Sequence, residues 1–342
     1  MKALQKIHKG KDGVVLRDIK EPIPEDFEVK IKVHAAGICG TDIHIINDEF
    51  ECSYPVTMGH EYSGTITEVG TKVLNFFPGE RVISLTAAKV CGKCKYCREG
   101  IYMLCNERKS IGSGVNGAFS QYLTVPADIV YRIPENVSMD EAVLTEPLAC
   151  VTRCVIERSS VKAGDYVLVS GPGAIGLLTA QVASACGGNV TVVGTSKDID
   201  RLSLAKHLGA IETIIVDQED YVKRSFKITN GNNFDIAYEC SGAEASADVC
   251  LNLLKKSSEY VQVGLFGKKI AFDHDLALKK EISITNGFAS NATSWEIALR
   301  LLKFKKVNLN PLISAKMPIS EWKKGVNMVI NKEAYKVLLD PR

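Results

Sequence analysis

No run of about 18 apolar residues occurs in the 342-residue sequence, so no membrane-spanning helix is expected. A dominant charge is missing as well. Lys and Arg number 42 against 40 Asp and Glu, a net charge of +2, which leaves no electrostatic footprint for nucleic acid or an anionic membrane. The opening stretch MKALQKIHKGKDG lacks the apolar core of a secretory signal, so a cytoplasmic location is the expectation. Internal repeats and low-complexity tracts are absent too. What is left has ordinary globular composition, 46% hydrophobic and 24% charged. At roughly 150 residues per domain, the length suggests about two domains.

Cysteine, by contrast, is plentiful, with eleven in the chain. A disulfide scaffold is disfavoured by the chain length, the odd number and the missing signal. Four of the cysteines crowd into CGKCKYCREGIYMLC, as Cys91, Cys94, Cys97 and Cys105. Two-residue gaps followed by a fourth thiol close behind can wrap one tetrahedral ion, with backbone amides near the sulfurs. An iron–sulfur cluster is the rival. Ferredoxin-type spacing brings the fourth cysteine sooner and follows it with proline, whereas here the gap is longer and Asn106 follows. Zinc is therefore favoured, and four protein ligands leave no open position, so the site should be structural. A zinc ribbon gripping nucleic acid through Lys93, Lys95 and Arg98 is a further alternative, which the balanced charge weighs against. Cys150, Cys154, Cys186, Cys240 and Cys250 lie in apolar or helical contexts and read as buried small hydrophobes.

The chain has two textures. Up to about residue 145 it reads as short strands between Gly, Pro and Asp, with VKIKV (29–33) alternating in the manner of a half-buried strand. SGTITEVG, RVISL and SQYLTV resemble it. From about 160, apolar strands alternate with helical stretches: YVLVSG, LLTAQVASAC, VTVV, RLSLAKHL, TIIV, a helix from about 220, FDIAYEC, a helix through the 240s, YVQVGL and ISIT. That alternation predicts a parallel sheet covered on both faces, an α/β fold. After about 290 the mixed texture returns, with an amphipathic helix at WEIALRLLKF.

VSGPGAIG sets Gly171, Gly173 and Gly176 between a strand and a helix. In that context the glycines permit a tight turn and close approach to a pyrophosphate, which Gly171, Gly173, Ala174, Ile175 and Gly176 would hold at the helix N-terminus. An acid at the end of the second strand would mark NAD. Instead Gly194, Thr195 and Ser196 occupy that end, Asp198 comes later, and Lys197 and Arg201 are near enough to pair with a 2′-phosphate. The balance leans to NADP, with NAD still open.

ICGTDIH (38–44) and GHEYSG (59–64) supply Cys39, His60 and Glu61. A His-Glu pair alone is ordinary decoration. An alcohol-oxidising zinc site nevertheless needs soft and borderline ligands with one position open, and Cys39 lies upstream. TEPLAC adds Glu146.

With CGTDIH, GHEYSG, the four-cysteine lobe, EPLA and SGPGAIG in that order, the sequence resembles the zinc-containing medium-chain dehydrogenases over essentially its whole length. Within them it most resembles the polyol branch typified by sorbitol (L-iditol) dehydrogenase, with L-threonine 3-dehydrogenase close by. The resemblance implies a GroES-like β-rich catalytic domain over 1–146 and 286–342, and a Rossmann NAD(P)-binding domain over 147–285. Active site and cofactor would meet in the cleft between them. It implies two zinc ions per chain. Cys39 and His60 match direct ligands of the catalytic ion, and Glu61 and Glu146 match carboxylates that ligate it directly or through water. Thr41 matches the hydroxyl that takes the substrate proton, and His44 the base that passes it to solvent. An imidazole suits that exit near neutral pH. Arg153 departs from the polyol pattern, which often has histidine there. The expected activity is hydride transfer between a secondary alcohol of a polyol or sugar-derived substrate and NAD(P). The alternatives are L-threonine oxidation or another zinc alcohol dehydrogenase activity, and a non-enzymatic zinc protein that keeps the fold. The expected assembly is a homodimer or homotetramer with no nucleic-acid partner.

Overall fold

The computed structural model describes residues 1–342 as two compact units. One comprises Met1–Glu146, Ser290–Lys303 and Leu309–Arg342; the other comprises Pro147–Ala289 and Phe304–Asn308.

The first unit is built on a seven-stranded sheet. Its middle strands are Glu61–Val69, Glu28–Gly37 and Lys336–Asp340, side by side in that order. Antiparallel pairing sets Gly37 opposite both Glu61 and Leu338. The end of one strand and the starts of two others therefore converge, although Glu61 and Lys336 are far apart in sequence. Val29, Ile31 and Val33 are buried, as the alternation requires. Lys30 was expected on the polar face, yet it too is buried. Its ammonium pairs with Glu21 and Glu68 and lies over the Tyr122 ring, because neighbouring segments cover this face. A three-stranded sheet (Val14–Asp18, Lys2–Lys6, Val56–Thr57) and a two-stranded one (Ala87–Lys89, Lys109–Ser110) complete the unit.

The second unit holds a six-stranded sheet in the order Glu212–Ile215, Asn189–Gly194, Tyr166–Ser170, Phe234–Glu239, Leu254–Gln262, Ser283–Asn286, with every pair parallel. The first strand in sequence lies at the centre, and the chain winds outward from it in both directions. This doubly wound order binds ligands where the winding reverses, beyond the strands' carboxyl ends. Helices Ala174–Ala185, Ile199–His207, Tyr221–Ile228 and Glu244–Leu253 make the crossovers. Leu168, Phe234, Leu251 and Tyr260 are among the core residues.

The fifth strand begins earlier than YVQVGL suggests, at Leu254, and its pairing jumps from Leu254↔Phe234 to Glu259↔Ile236. The intervening KKSS bulges, with Ser257 at φ 56°, so hydrophobic patterning could not reveal it. Gly264 leaves the strand, and a Cβ there would lie 2.9 Å from the Glu239 carboxylate. That buried carboxylate accepts from the Ser241 amide and hydroxyl and from the Gly242 amide. Among the cysteines expected to be core, Cys154 and Cys250 are buried, while Cys150, Cys186 and Cys240 are only partly so.

Candidate metal centres and cofactor loop

Cys39 is the N-cap of the short helix Gly40–Ile46, and Asp42 is its N3 residue. The Cys39 amide donates to Asp42 Oδ2 at 2.8 Å, fixing the backbone that presents the thiol. The other Asp42 oxygen, Oδ1, is buried without a hydrogen-bond partner and faces His60 Nδ1 at 3.9 Å. Burial raises the Asp42 pKa, although His60 and the Cys39 amide act against it. For His60, burial pulls the pKa down, but Cys39, Asp42 and Glu146 overcome this and hold it well above the ordinary value. The ring thus sits in a negative pocket suited to a cation.

Tight backbone packing places His60. Gly59 has φ +88°, and a Cβ on it would lie 2.5 Å from the Phe119 ring. Gly117 abuts the Gly59 carbonyl so closely that a Cβ would come within 2.1 Å of it. The ligand-type atoms of Cys39, His60 and Glu61 lie within 4.8 Å of one another.

Glu61, fully buried, is engaged by a second partner. Lys336 Nζ donates to both its carboxylate oxygens at 2.7 Å. Burial lowers the Lys336 pKa, and Glu61 together with Cys39 and Glu146 more than offsets this, leaving it raised. Gly37 makes the room, since a Cβ there would lie 2.4 Å from Glu61 Oε2.

Thr41 Oγ1 is 3.8 Å from Cys39 Sγ. His44 follows one turn later on the same helix, partly exposed, with Nδ1 held 2.7 Å from Glu49 Oε2. Glu146 is buried in the first turn of helix Thr145–Thr152, close enough to bear on His60 but outside the three-residue cluster. Arg153 begins a π-helical turn, Arg153–Glu157, and pairs with Glu157 at 3.1 Å. The sequence reading missed Asp42, Glu49 and Lys336. Asp42 left a signal, three residues after the N-cap in the capping-box pattern; Lys336 left none.

Cys91, Cys94, Cys97 and Cys105 also converge within 4.8 Å. Cys97 Sγ is 3.5 Å from Cys94 Sγ and 3.8 Å from Cys91 Sγ. Amides of Cys91, Cys94 and Cys97 point at sulfurs of the set. The Lys93 and Cys94 amides draw the Cys91 thiol down to about 6, favouring the thiolate. Four thiolate-type donors so close, with amides aimed at them, fit a tetrahedral zinc ion.

In the second unit Gly171 has φ +102°, where a Cβ would meet Ser241 at 2.7 Å. A Cβ on Gly176 would sit 1.8 Å from the Gly171 carbonyl oxygen, so the turn closes only with glycine there. Around Gly173 the space is open, apart from the Arg201 guanidinium 3.9 Å from a built Cβ. Helix Ala174–Ala185 starts there with no side-chain cap. Open space, an uncapped helix start and a cation fit a pyrophosphate. Gly176→Ala is expected to weaken NADH binding at least roughly tenfold and to cost about 1–3 kcal/mol of stability, the range for overpacking. Fluorescence titration and thermal melts check both.

Beyond the second strand, the Thr195 amide and hydroxyl both donate to Asp198 Oδ2, at 3.0 and 2.7 Å. The Ser196 amide and hydroxyl both donate to Asp217, at 2.7 and 2.6 Å. Lys197 is exposed. Asp198 thus caps its own turn.

Comparison with known proteins places these features in a lineage. The alcohol dehydrogenase GroES-like domain family matches residues 25–135, and the zinc-binding dehydrogenase family matches residues 174–303. A sorbitol dehydrogenase of Halalkalibacterium halodurans is 42% identical, covering 100% of this chain and 99% of its own. A D-arabitol-phosphate dehydrogenase of Enterococcus avium is 36% identical over 99% of this chain and 97% of its own. A provisionally assigned zinc-binding dehydrogenase of Sinorhizobium meliloti 1021, solved bound to NADP, superposes with a TM-score of 0.90 at 28% identity, covering 99% of each chain.

Proposed function

Because the chain belongs to the zinc-containing medium-chain dehydrogenase family, we propose that it oxidises a secondary alcohol of a polyol or polyol phosphate with a nicotinamide cofactor. The observation that carries the reading is the convergence of Cys39, His60 and Glu61 beside the unpartnered Asp42 oxygen. A soft thiolate, an imidazole and carboxylates are a zinc donor set.

Cys39 and His60 would hold the ion. Asp42 acts on both, through the Cys39 amide and by facing His60 Nδ1, which leaves Nε2 to the metal. Glu61 is drawn toward Lys336, and Glu146, buried and near enough to bear on His60, would be the other carboxylate of the set. When bound, zinc would supply the Lewis acidity that eases loss of an alcohol proton, and a nicotinamide seated at the glycine loop would supply the hydride acceptor. Thr41 takes the proton and His44, steadied by Glu49, releases it to solvent. The second zinc belongs to the four-cysteine lobe. A cytoplasmic homodimer or homotetramer completes the proposal. Oligomerisation is supported by the edge strand Ser283–Asn286, which carries an exposed Ile284. No helix is long and apolar enough to cross a membrane.

The test is nicotinamide reduction across sorbitol and other polyols, their phosphates and L-threonine, each with NAD and with NADP. Highest kcat/KM on a polyol or its phosphate supports the proposal. Preference for L-threonine, or no turnover on any alcohol, contradicts it.

A further inference from the structure

We propose that Asp217 sets the adenosine end of the cofactor site for NAD rather than NADP, by holding both Ser196 donors and placing a carboxylate where a 2′-phosphate would have to sit. This rests on the reading that the glycine loop seats a nicotinamide dinucleotide. The second strand's own end, Gly194 to Ser196, has no acid. The sheet brings one in from the next strand. Gly194 pairs with Ile215, and the Val216 amide donates to the Gly194 carbonyl at 3.0 Å, which brings Asp217 against Ser196.

Both Asp217 oxygens are engaged, Oδ1 by the Ser196 amide and Oδ2 by the Ser196 hydroxyl. Since Asp198 takes both donors of Thr195, two carboxylates satisfy the amide and hydroxyl donors of Thr195 and Ser196. A 2′-phosphate binds through such donors and through cations. Here it would have to displace one anion and lie beside another. The Ser196 hydroxyl holds the Asp217 pKa below the ordinary range, with Lys197 adding to the effect, so the charge persists at neutral pH. Of the two cations, the Arg201 guanidinium lies by the Gly173 turn, where a pyrophosphate would lie, and Lys197 is exposed, near enough to Asp217 to help lower its pKa. Ribose hydroxyls, which donate, are compatible with a carboxylate; a phosphate is not.

Dissociation constants for NADH and NADPH, measured by fluorescence titration, test the assignment. In the unmodified protein NADH should bind at least roughly tenfold tighter, the scale of one charge-assisted hydrogen bond. Asp217→Asn and Asp217→Ala should each move the ratio toward NADPH by about tenfold, chiefly by tightening NADPH. NADPH binding as tightly as NADH to the unmodified protein overturns the proposal without any variant. An unchanged ratio in either folded variant also overturns it. Failure of both dinucleotides to bind the unmodified protein would instead remove the dinucleotide reading on which it rests.

Discussion

Cys39→Ala is expected to lower polyol oxidation by roughly a thousandfold or more, because a Lewis acid contributes several kcal/mol to such a step and each 1.4 kcal/mol is about tenfold. The fold should persist. Cys39 is only partly buried, and the bond from its amide to the Asp42 carboxylate remains. The four-cysteine site lies on a separate segment and should keep its ion. The variant should therefore show near-native circular dichroism, about one zinc ion per chain in place of two, and almost no turnover. Native kcat/KM in this variant would mean that the reaction does not use this cluster.

Lys336→Met is expected to be the most destabilising single change at the site. The Glu61 side chain has no exposed surface, and Lys336 is the donor to both of its oxygens. Removing one partner of such a pair leaves a buried charge uncompensated, at a cost of about 3–5 kcal/mol. At roughly 2–4 °C per kcal/mol, the Tm of the catalytic unit should fall on the order of 10 °C. Glu61→Gln added to Lys336→Met should recover part of the loss, since the remaining group is then neutral. Calorimetry of the single and double variants decides the matter. Equal Tm values for Lys336→Met and the unmodified protein would show that the pair contributes little.

Much of this could be read in the sequence because it is local. The strand-helix alternation after residue 160 reports burial on both faces of a parallel sheet, and the family resemblance implies the doubly wound order that the sheet has. The four cysteines lie within one short segment, so their convergence needs no long-range knowledge. SGPGAIG reports backbone geometry directly, since Gly171 and Gly176 stand where a Cβ cannot. What stayed hidden depends on strand register. Lys336 meets Glu61 only because both strands flank Glu28–Gly37, and nothing near Lys336 marks it. Asp217 reaches Ser196 across a parallel pair, so an inspection of the second strand alone does not find it. The KKSS bulge and the burial of Lys30 run against hydrophobic patterning, because both depend on neighbours supplied by distant segments.

The central claim is that alcohol oxidation depends on an ion held by the Cys39–His60 cluster. Turnover on the best polyol, followed against zinc content during stepwise chelation and re-addition, tests it most directly. Activity should disappear as zinc falls from about two ions to about one per chain and return when the second is restored, with the secondary structure intact throughout. Full turnover in a chain retaining only the four-cysteine zinc, or holding none, would contradict the account.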